Sequence, residues 1–271
     1  MTMTSIAQKP YKVADGTWVI PELFPAAPGT LVPISSAVIV GKEPVVIDTG
    51  TAGNRERWFQ ALGTIVDPAD VRWIFITHED PDHVGNLLAL FDRAPKATVV
   101  MTWFMGERLA GTLSIPLNRQ RWVNDGDSFD VGDRTLAAIR PPLFECPTTR
   151  GLYDAKTGFY WAADAFSSFM QAEVENADDV PQPLWEGTFS ATNRMNAPWV
   201  STANPEKLGI QVARLEALKL SVVASAHGPT MTGPRIATAL KMTRALAGEP
   251  EVPLMGQRDL EGILASMPGL G

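Results

Sequence analysis

The composition of this 271-residue chain is that of an acidic globular protein: it is 45% hydrophobic and 20% charged, and 30 acidic against 23 basic side chains give a formal charge of −7 at pH 7. A protein that holds phosphate backbones needs a basic face, so we do not expect nucleic acid as a partner. No apolar run approaches the ~20 residues that cross a bilayer and Met1–Pro10 does not have the pattern of a signal peptide, which predicts a soluble cytoplasmic protein without a membrane.

Periodicity predicts strands and helices that alternate from residue 31 onward. Two β-branched runs joined by Gly41-Lys42 predict a hairpin. In chain order, this half has strands over Leu31–Val40 and Pro44–Ile47, a helix over Asn54–Ile65, a strand over Val71–Thr77, a helix over Val84–Phe91, a strand over Thr98–Thr102 and a helix over Trp103–Ala110. The β-α-β order indicates an α/β fold.

The second half continues this alternation, apart from one irregular segment. The predicted elements are strands that end at Ile139, strands over Gly151–Asp154 and Phe159–Ala163, a helix over Pro205–Leu220, a strand over Ser221–Ala224, a helix over Ala237–Leu246 and a short helix within Glu251–Gly271. Ser167–Thr202 has no clear period, and it is either a long functional loop or irregular helix packed over a site. Neither a linker nor a repeat divides the chain, so we expect one domain over residues 1–271.

The strongest chemical signal is a cluster of possible metal ligands directly after a predicted buried strand. His78, Asp80, Asp82 and His83 lie within six residues, and strand alternation places the first three on one side, with His83 joining as the chain turns into a helix. Acidic loops before helices also occur without a metal, because carboxylates are stabilised at helix N-termini. His227 likewise follows a predicted strand, and this shared placement of all three histidines favours metal binding.

The cysteine count and the absence of nucleotide-binding motifs exclude several kinds of cofactor. Cys146 is the only cysteine, which excludes an internal disulfide, a multi-cysteine zinc site and an iron–sulfur cluster. The sequence contains neither a phosphate-binding glycine loop nor a dinucleotide fingerprint, so no nucleotide cofactor is expected.

Three segments together resemble a known family. Thr77–Leu87, Asp164 within Ala163–Phe166, and Ser225–Pro229 are similar to the metallo-β-lactamase fold, specifically the diiron branch of flavodiiron proteins and oxygen-binding diiron proteins. The resemblance spans roughly residues 11–235 and implies an αββα sandwich of two mixed β-sheets flanked by helices, with a C-terminal helical tail over 236–271. Asp48 is a weaker match to an aspartate at the end of an early strand.

The resemblance also implies a ligand set. One ion is served by His78, Asp80 and Glu145, the other by Asp82, His83 and His227, and Asp164 bridges them. No catalytic residue beyond these ligands is expected. Asp80 is shorter than the residue usual at its position, and Glu145 stands where the family has an imidazole. Either Glu145 replaces that ligand, or Cys146 does through a shifted turn, or water fills the corner.

Charge and ligand type bear on the metal and the function. Four ionised carboxylates balance two divalent ions, and this oxygen-rich set favours two iron ions, with two zinc or two manganese ions as alternatives. The resemblance implies an oxidoreductase-like protein that binds or reduces dioxygen or nitric oxide. No room is predicted after His227 for the flavodoxin-like module of flavodiiron proteins. We therefore expect electrons from a separate donor protein or a neighbouring subunit of a homodimer, or else oxygen binding without multiple turnover. A dinuclear zinc hydrolase of a lactone, thioester or phosphoester is the alternative, and a site with one metal or none is a third interpretation.

Overall fold

The computed structural model describes residues 6–7, 9–27, 30–170 and 174–266, and these residues form three sheets and eight α-helices. The strands are β1 Ile6–Ala7, β2 Tyr11–Ala14, β3 Thr17–Ile20, β4 Glu22–Ala27, β5 Thr30–Pro33, β6 Ser36–Ile39, β7 Val45–Ile47, β8 Trp73–Phe75, β9 Thr98–Met101, β10 Gln120–Trp122, β11 Ser128–Asp130, β12 Thr135–Ile139, β13 Gly151–Asp154, β14 Phe159–Trp161, β15 Val222–Ser225 and β16 Gly228–Thr232. The helices are α1 Arg55–Gly63, α2 Pro81–Val84, α3 Leu87–Arg93, α4 Trp103–Leu109, α5 Gln182–Asn196, α6 Pro205–Glu216, α7 Gly233–Ala245 and α8 Gln257–Ser266.

Two large mixed sheets form the centre of the fold. One has the strand order β10-β9-β8-β7-β6-β3-β2 and the other the order β11-β12-β13-β14-β15-β16. Neighbouring strands from β7 to β10 are parallel, as are β14 and β15, whereas the other pairs in these two sheets are antiparallel. The parallel strands β7, β8, β9 and β14 are short, largely apolar and buried runs, as expected for strands that are covered on both faces, whereas the edge strand β10 is largely exposed.

The core is arranged in four layers. Ile47 and Phe75 of the first sheet meet Trp161 of the second between the two sheets. Helices α1, α3 and α4 cover the outer face of the seven-stranded sheet, and α5, α6 and α7 cover the outer face of the six-stranded sheet. This arrangement confirms the αββα sandwich that the sequence predicted.

The sequence was wrong about continuity in two places. Leu31–Val40 is two strands, because β5 ends at Pro33 and pairs with β4 in a separate three-stranded sheet, whereas β6 pairs with β7 in the predicted hairpin. Val84–Phe91 is also divided. A Cβ at Gly85 would lie 2.5 Å from the Gly50 carbonyl oxygen, and the Asn86 side chain donates to the carbonyls of Thr49 and Thr51. These contacts separate α2 from α3.

The segment without clear period contains a regular helix. Helix α5 packs Trp185 and Phe189 against the six-stranded sheet, so of the two interpretations of Ser167–Thr202 the helical one is closer, although residues 171–173 lie outside the described part. The helix predicted within Glu251–Gly271 is α8. Over the part of the chain that the structure describes, no helix is long and apolar enough to cross a bilayer.

Candidate metal centre

The loop after β8 brings four predicted ligands to one edge of the first sheet. The strand ends at Phe75, and Asp80 is the N-cap residue of α2, so the regular alternation predicted through Asp82 does not continue. Instead the first turn of α2 carries Asp82 and turns His83 back toward His78, whose ring centroid lies 3.8 Å from that of His83. Both imidazoles are buried.

Asp164 enters from the second sheet on a strained turn after β14. Ala163 and Phe166 have φ values of 55° and 61°, a region that residues other than glycine seldom adopt. The turn is held by the Ala163 carbonyl, which accepts from the Ala226 N–H at 2.9 Å, and by the Phe166 N–H, which donates to Asn193 Oδ1 at 2.8 Å. Contacts from two different elements therefore maintain the conformation that presents Asp164.

The carboxylate of Asp164 lies among all three histidines. Its Oδ1 is 3.1 Å from Nε2 of His83, and its Oδ2 is 3.2 Å from Nε2 of His227 and 3.8 Å from Nε2 of His78. Each imidazole therefore presents the same ring nitrogen to one carboxylate. This is the position that a bridging ligand requires.

The two remaining aspartates lie on opposite sides of Asp164. Asp80 Oδ2 is 3.6 Å from Nε2 of His78, whereas Asp82 Oδ2 is 3.6 Å from Nε2 of His83 and 3.5 Å from Nε2 of His227. This division agrees with the two sets of ligands implied by the resemblance.

Glu145 joins this group, whereas Cys146 is held elsewhere. Glu145 Oε1 lies 3.4 Å from Nδ1 of His78 and accepts from the Thr149 hydroxyl, which leaves Oε2 buried and without a partner. The Cys146 thiol instead lies 3.3 Å from the carboxylate of Glu79. At this corner the Glu145 carboxylate contacts His78 at Nδ1 rather than at the Nε2 that faces Asp164, whereas the Cys146 thiol is held by Glu79 and Arg108; Glu145 as a ligand stays a prediction.

The histidines are oriented by groups behind them. Nδ1 of His83 lies 3.1 Å from Oδ2 of Asp48, and Nδ1 of His227 lies 2.7 Å from the Pro33 carbonyl oxygen. Asp48, with a φ of 58°, also accepts from the Thr77 N–H at 2.9 Å and from the Trp161 indole at 3.0 Å. A partner on Nδ1 fixes the tautomer that leaves Nε2 free for a metal.

Sequence reasoning noticed Asp48 only as a weak match and missed Pro33, Trp161 and Asn193. For Asp48, the signal was its place at the end of a buried strand. Pro33 acts through its backbone carbonyl, a group that every residue carries, so no residue-type pattern could have identified it.

The electrostatics of the site reflect a dense set of opposite charges. Burial opposes a charge on His83, but the carboxylates of Asp164 and Asp48 outweigh it and raise the His83 pKa well above the usual value. In the same way, Asp164 outweighs burial and raises the pKa of His227 to about 9. Burial also opposes the charge on Asp164, yet the three imidazoles hold its pKa well below the ordinary range.

Buried nitrogen and oxygen atoms that make no hydrogen bond indicate whether the site fits a metal. Nε2 of His78, Nε2 of His83, Oε2 of Glu145 and Oδ1 of Asp164 are all buried without a hydrogen-bond partner. Such atoms are rare in folded proteins. Two groups here each bring one ligand atom per residue within 4.8 Å of one another: His78, His83 and Asp164, and Asp82, His83 and His227. Because imidazole nitrogens and carboxylate oxygens are good ligands for first-row divalent metals, a pair of ions fits this set.

A small pocket adjoins the site. It is lined by Leu143, Phe144, Glu145, Asp164, Ala165, Asn193, Asn196 and Ala197. The space between these side chains is too narrow for a sphere the size of a water molecule.

The sequence of this chain is similar to those of several known proteins. A putative diflavin flavoprotein A 2 of Nostoc sp. is 26% identical over 199 residues, which cover 73% of this chain and 33% of that protein. The anaerobic nitric oxide reductase flavorubredoxin of Vibrio vulnificus is 24% identical over 196 residues, covering 72% of this chain and 39% of that protein. This chain thus spans about a third of the length of the curated relatives that it matches.

Solved structures agree on the fold. The flavodiiron protein of Giardia intestinalis superposes with a TM-score of 0.76 at 18% identity, over 89% of this chain and 59% of that one. The likeness confirms a metallo-β-lactamase-like core like that of flavodiiron proteins. The model of the family described as ODP family beta lactamase matches residues 35–228. Since this match covers most of the chain, the chain belongs to that family.

Proposed function

We propose that this chain holds two iron ions in a dinuclear centre that binds or reduces dioxygen or nitric oxide, with electrons from a separate donor protein. The observation that carries the proposal is the Asp164 carboxylate, which lies between three buried imidazoles that each present Nε2. The proposed ligands of the first ion are His78, Asp80 and Glu145, those of the second are Asp82, His83 and His227, and Asp164 bridges the two.

The donor set supports iron over zinc. Four carboxylates and three imidazoles form a harder set than a histidine-rich zinc site, and their charge balances two divalent ions. When bound, the two iron ions supply the binding position and the electrons for a diatomic ligand. Added negative charge also makes the ions weaker Lewis acids, which disfavours the hydrolysis of esters or lactones.

Other residues of the chain orient the histidines, fix the ring nitrogen that carries the proton, and form apolar walls beside the site. Asp48 and the Pro33 carbonyl hold Nδ1 of His83 and His227, so that both Nε2 atoms face Asp164. Leu143 and Phe144 form apolar walls of the adjoining pocket.

The names of relatives support the reaction class. The relative in Vibrio vulnificus is called an anaerobic nitric oxide reductase, and a structural neighbour from Desulfovibrio gigas is called a rubredoxin oxygen:oxidoreductase. The separate electron donor is part of the proposal, because this chain matches only part of those proteins. The single domain over 1–271, the cytoplasmic location and the homodimer stay predictions.

Metal analysis tests the proposal. The protein is purified from iron-supplemented and from zinc-supplemented growth, and its metals are counted. We expect close to two iron ions per chain after growth with ample iron, with near-ultraviolet absorption from iron–oxygen charge transfer in the oxidised protein. Stoichiometric zinc after growth with ample iron, together with hydrolysis of a lactone or thioester, would overturn the proposal in favour of a hydrolase.

A further inference from the structure

Glu79 lies between two proposed ligands in the sequence, but its side chain takes part in a separate cluster. The Glu79 side chain is only 8% exposed. A buried carboxylate needs hydrogen-bond donors or a cation to offset the loss of water.

The cluster supplies three donors to this carboxylate. Arg108 of α4 places Nη1 at 2.6 Å from Oε1, the Thr148 hydroxyl donates to Oε2, and the Cys146 thiol donates to Oε1 at 3.3 Å. Arg108 also donates to the Cys146 sulfur at 3.2 Å. The carboxylate therefore connects three separate segments of the chain.

Two of those segments carry proposed ligands of the same ion. Glu79 belongs to the loop of His78 and Asp80, whereas Cys146 and Thr148 belong to the loop that begins with Glu145. The Glu145 carboxylate reaches His78 across this junction, at 3.4 Å between Oε1 and Nδ1. Within the described ranges, the side-chain hydrogen bonds that tie these two loops together run from Thr148 and Cys146 to Glu79.

We infer that Glu79 is a positioning residue: the ion pair of its buried carboxylate with Arg108 and its hydrogen bond from Thr148 fix Glu145 against His78 and Asp80. The cluster thereby sets the affinity and the redox potential of the first ion. Asp82 and His83 follow Glu79 on the same loop, but the position that they form with His227 takes no ligand from the Glu145 loop, so the effect there is smaller. The inference rests on the proposed dinuclear iron centre.

Four variants test the inference. Glu79→Gln keeps an acceptor oxygen for Thr148 but removes the charge that holds Arg108, and Arg108→Met removes the cation. Thr148→Val removes the hydroxyl that bonds to Glu79 and to the Cys146 sulfur, while the bond from the Cys146 thiol to Glu79 remains. Glu43→Gln is the matched control, because Glu43 accepts from the Trp73 indole at 2.8 Å and has no contact with the ligand loops. Each protein is loaded with ferrous iron, and iron release to a chelator, the midpoint potential and the electron paramagnetic resonance of the half-reduced state are measured.

Loss of a residue that orients a metal ligand typically costs 10–100-fold in metal affinity. We expect that loss at one of the two ions in Glu79→Gln and Arg108→Met, with a smaller loss at the same ion in Thr148→Val and a changed resonance signal in all three. Glu43→Gln keeps both ions. Equal loss of both ions, or wild-type affinity, potential and resonance in all three variants, would overturn the inference.

The wild-type protein separates this inference from the proposed function. If the wild type does not load two iron ions, the proposed function fails. If it does and the Glu79, Arg108 and Thr148 variants match it, only the positioning role fails. Thr148→Val is nearly isosteric, so it carries the test should the charge variants not fold.

Discussion

Asp48 offers a sharp test of how the site is organised, through the variant Asp48→Asn. The φ of 58° at this position is one that asparagine adopts readily, so the substitution introduces little backbone strain. Oδ1 accepts from the Thr77 N–H, which requires the amide oxygen to stay at that position. The new amide nitrogen then replaces Oδ2, which faces the Trp161 indole and Nδ1 of His83.

The consequences are a loss of stability and a change of tautomer. A hydrogen bond to a charged group contributes about 1.5–3 kcal/mol, and the Trp161 indole loses such a bond, so we expect the free energy of unfolding to fall by about that amount. An amide nitrogen next to Nδ1 favours the His83 tautomer with its proton on Nε2, which withdraws that nitrogen from the metal. Affinity for the second ion should then fall by about 10–100-fold.

Urea unfolding of the metal-free protein and chelator competition of the loaded protein measure the two effects. Asp70→Asn is the control, because Asp70 is exposed and precedes β8, whereas the ligand loop follows that strand. Wild-type metal affinity in Asp48→Asn would refute the reasoning, because it would mean that the tautomer of His83 does not depend on Asp48.

Four further variants and one change of pH give clear expectations. Asp164→Ala should lose both ions, whereas His227→Ala should empty one position; full occupancy in Asp164→Ala by metal analysis would exclude the bridging role. Glu145→His adds a neutral donor and removes a negative charge, so the midpoint potential should rise, whereas Glu145→Ala should weaken one ion only; unchanged potential and metal content in both would remove Glu145 from the ligand set. Because the pKa of His227 is raised from 6.5 to about 9, its charge stabilises the metal-free protein below pH 6.5, and that contribution is lost as the pH rises through about 9. The urea midpoint of the metal-free protein should therefore fall over this range while metal affinity rises, since binding displaces protons; a metal affinity independent of pH would contradict the assignment.

Two kinds of signal in the sequence predicted the fold and the site. Short apolar runs that end in histidine or aspartate indicate strand ends, and the carboxyl ends of parallel strands such as β7 and β8 meet at one edge of the sheet. The predicted ligands of the His78 loop and His227 were found in this way. The αββα sandwich and Asp164 came from the family resemblance, which three short local segments carry.

What the sequence did not predict depends on contacts between distant residues. Pro33 and His227 are 194 positions apart, and their hydrogen bond follows from the packing of the three-stranded sheet against the second large sheet, which no local pattern encodes. The break between α2 and α3 arises from the close approach of Gly85 to Gly50. The role of Glu79 likewise appears only once α4 and the loop after Glu145 are folded against it.

The most direct test of the central claim is a single turnover of the iron-loaded protein. Both ions are reduced to the ferrous state and the reductant is removed. One sample is then mixed with nitric oxide in the absence of oxygen and another with dioxygen, while absorption and products are followed. We expect a rapid spectral change on mixing with at least one of the two gases. The change is either reversed when the gas is removed or accompanied by oxidation of both ions. If nitric oxide is turned over, two molecules are reduced to one nitrous oxide per centre. A fully loaded ferrous protein whose spectrum and oxidation state stay unchanged with both gases would contradict the central claim.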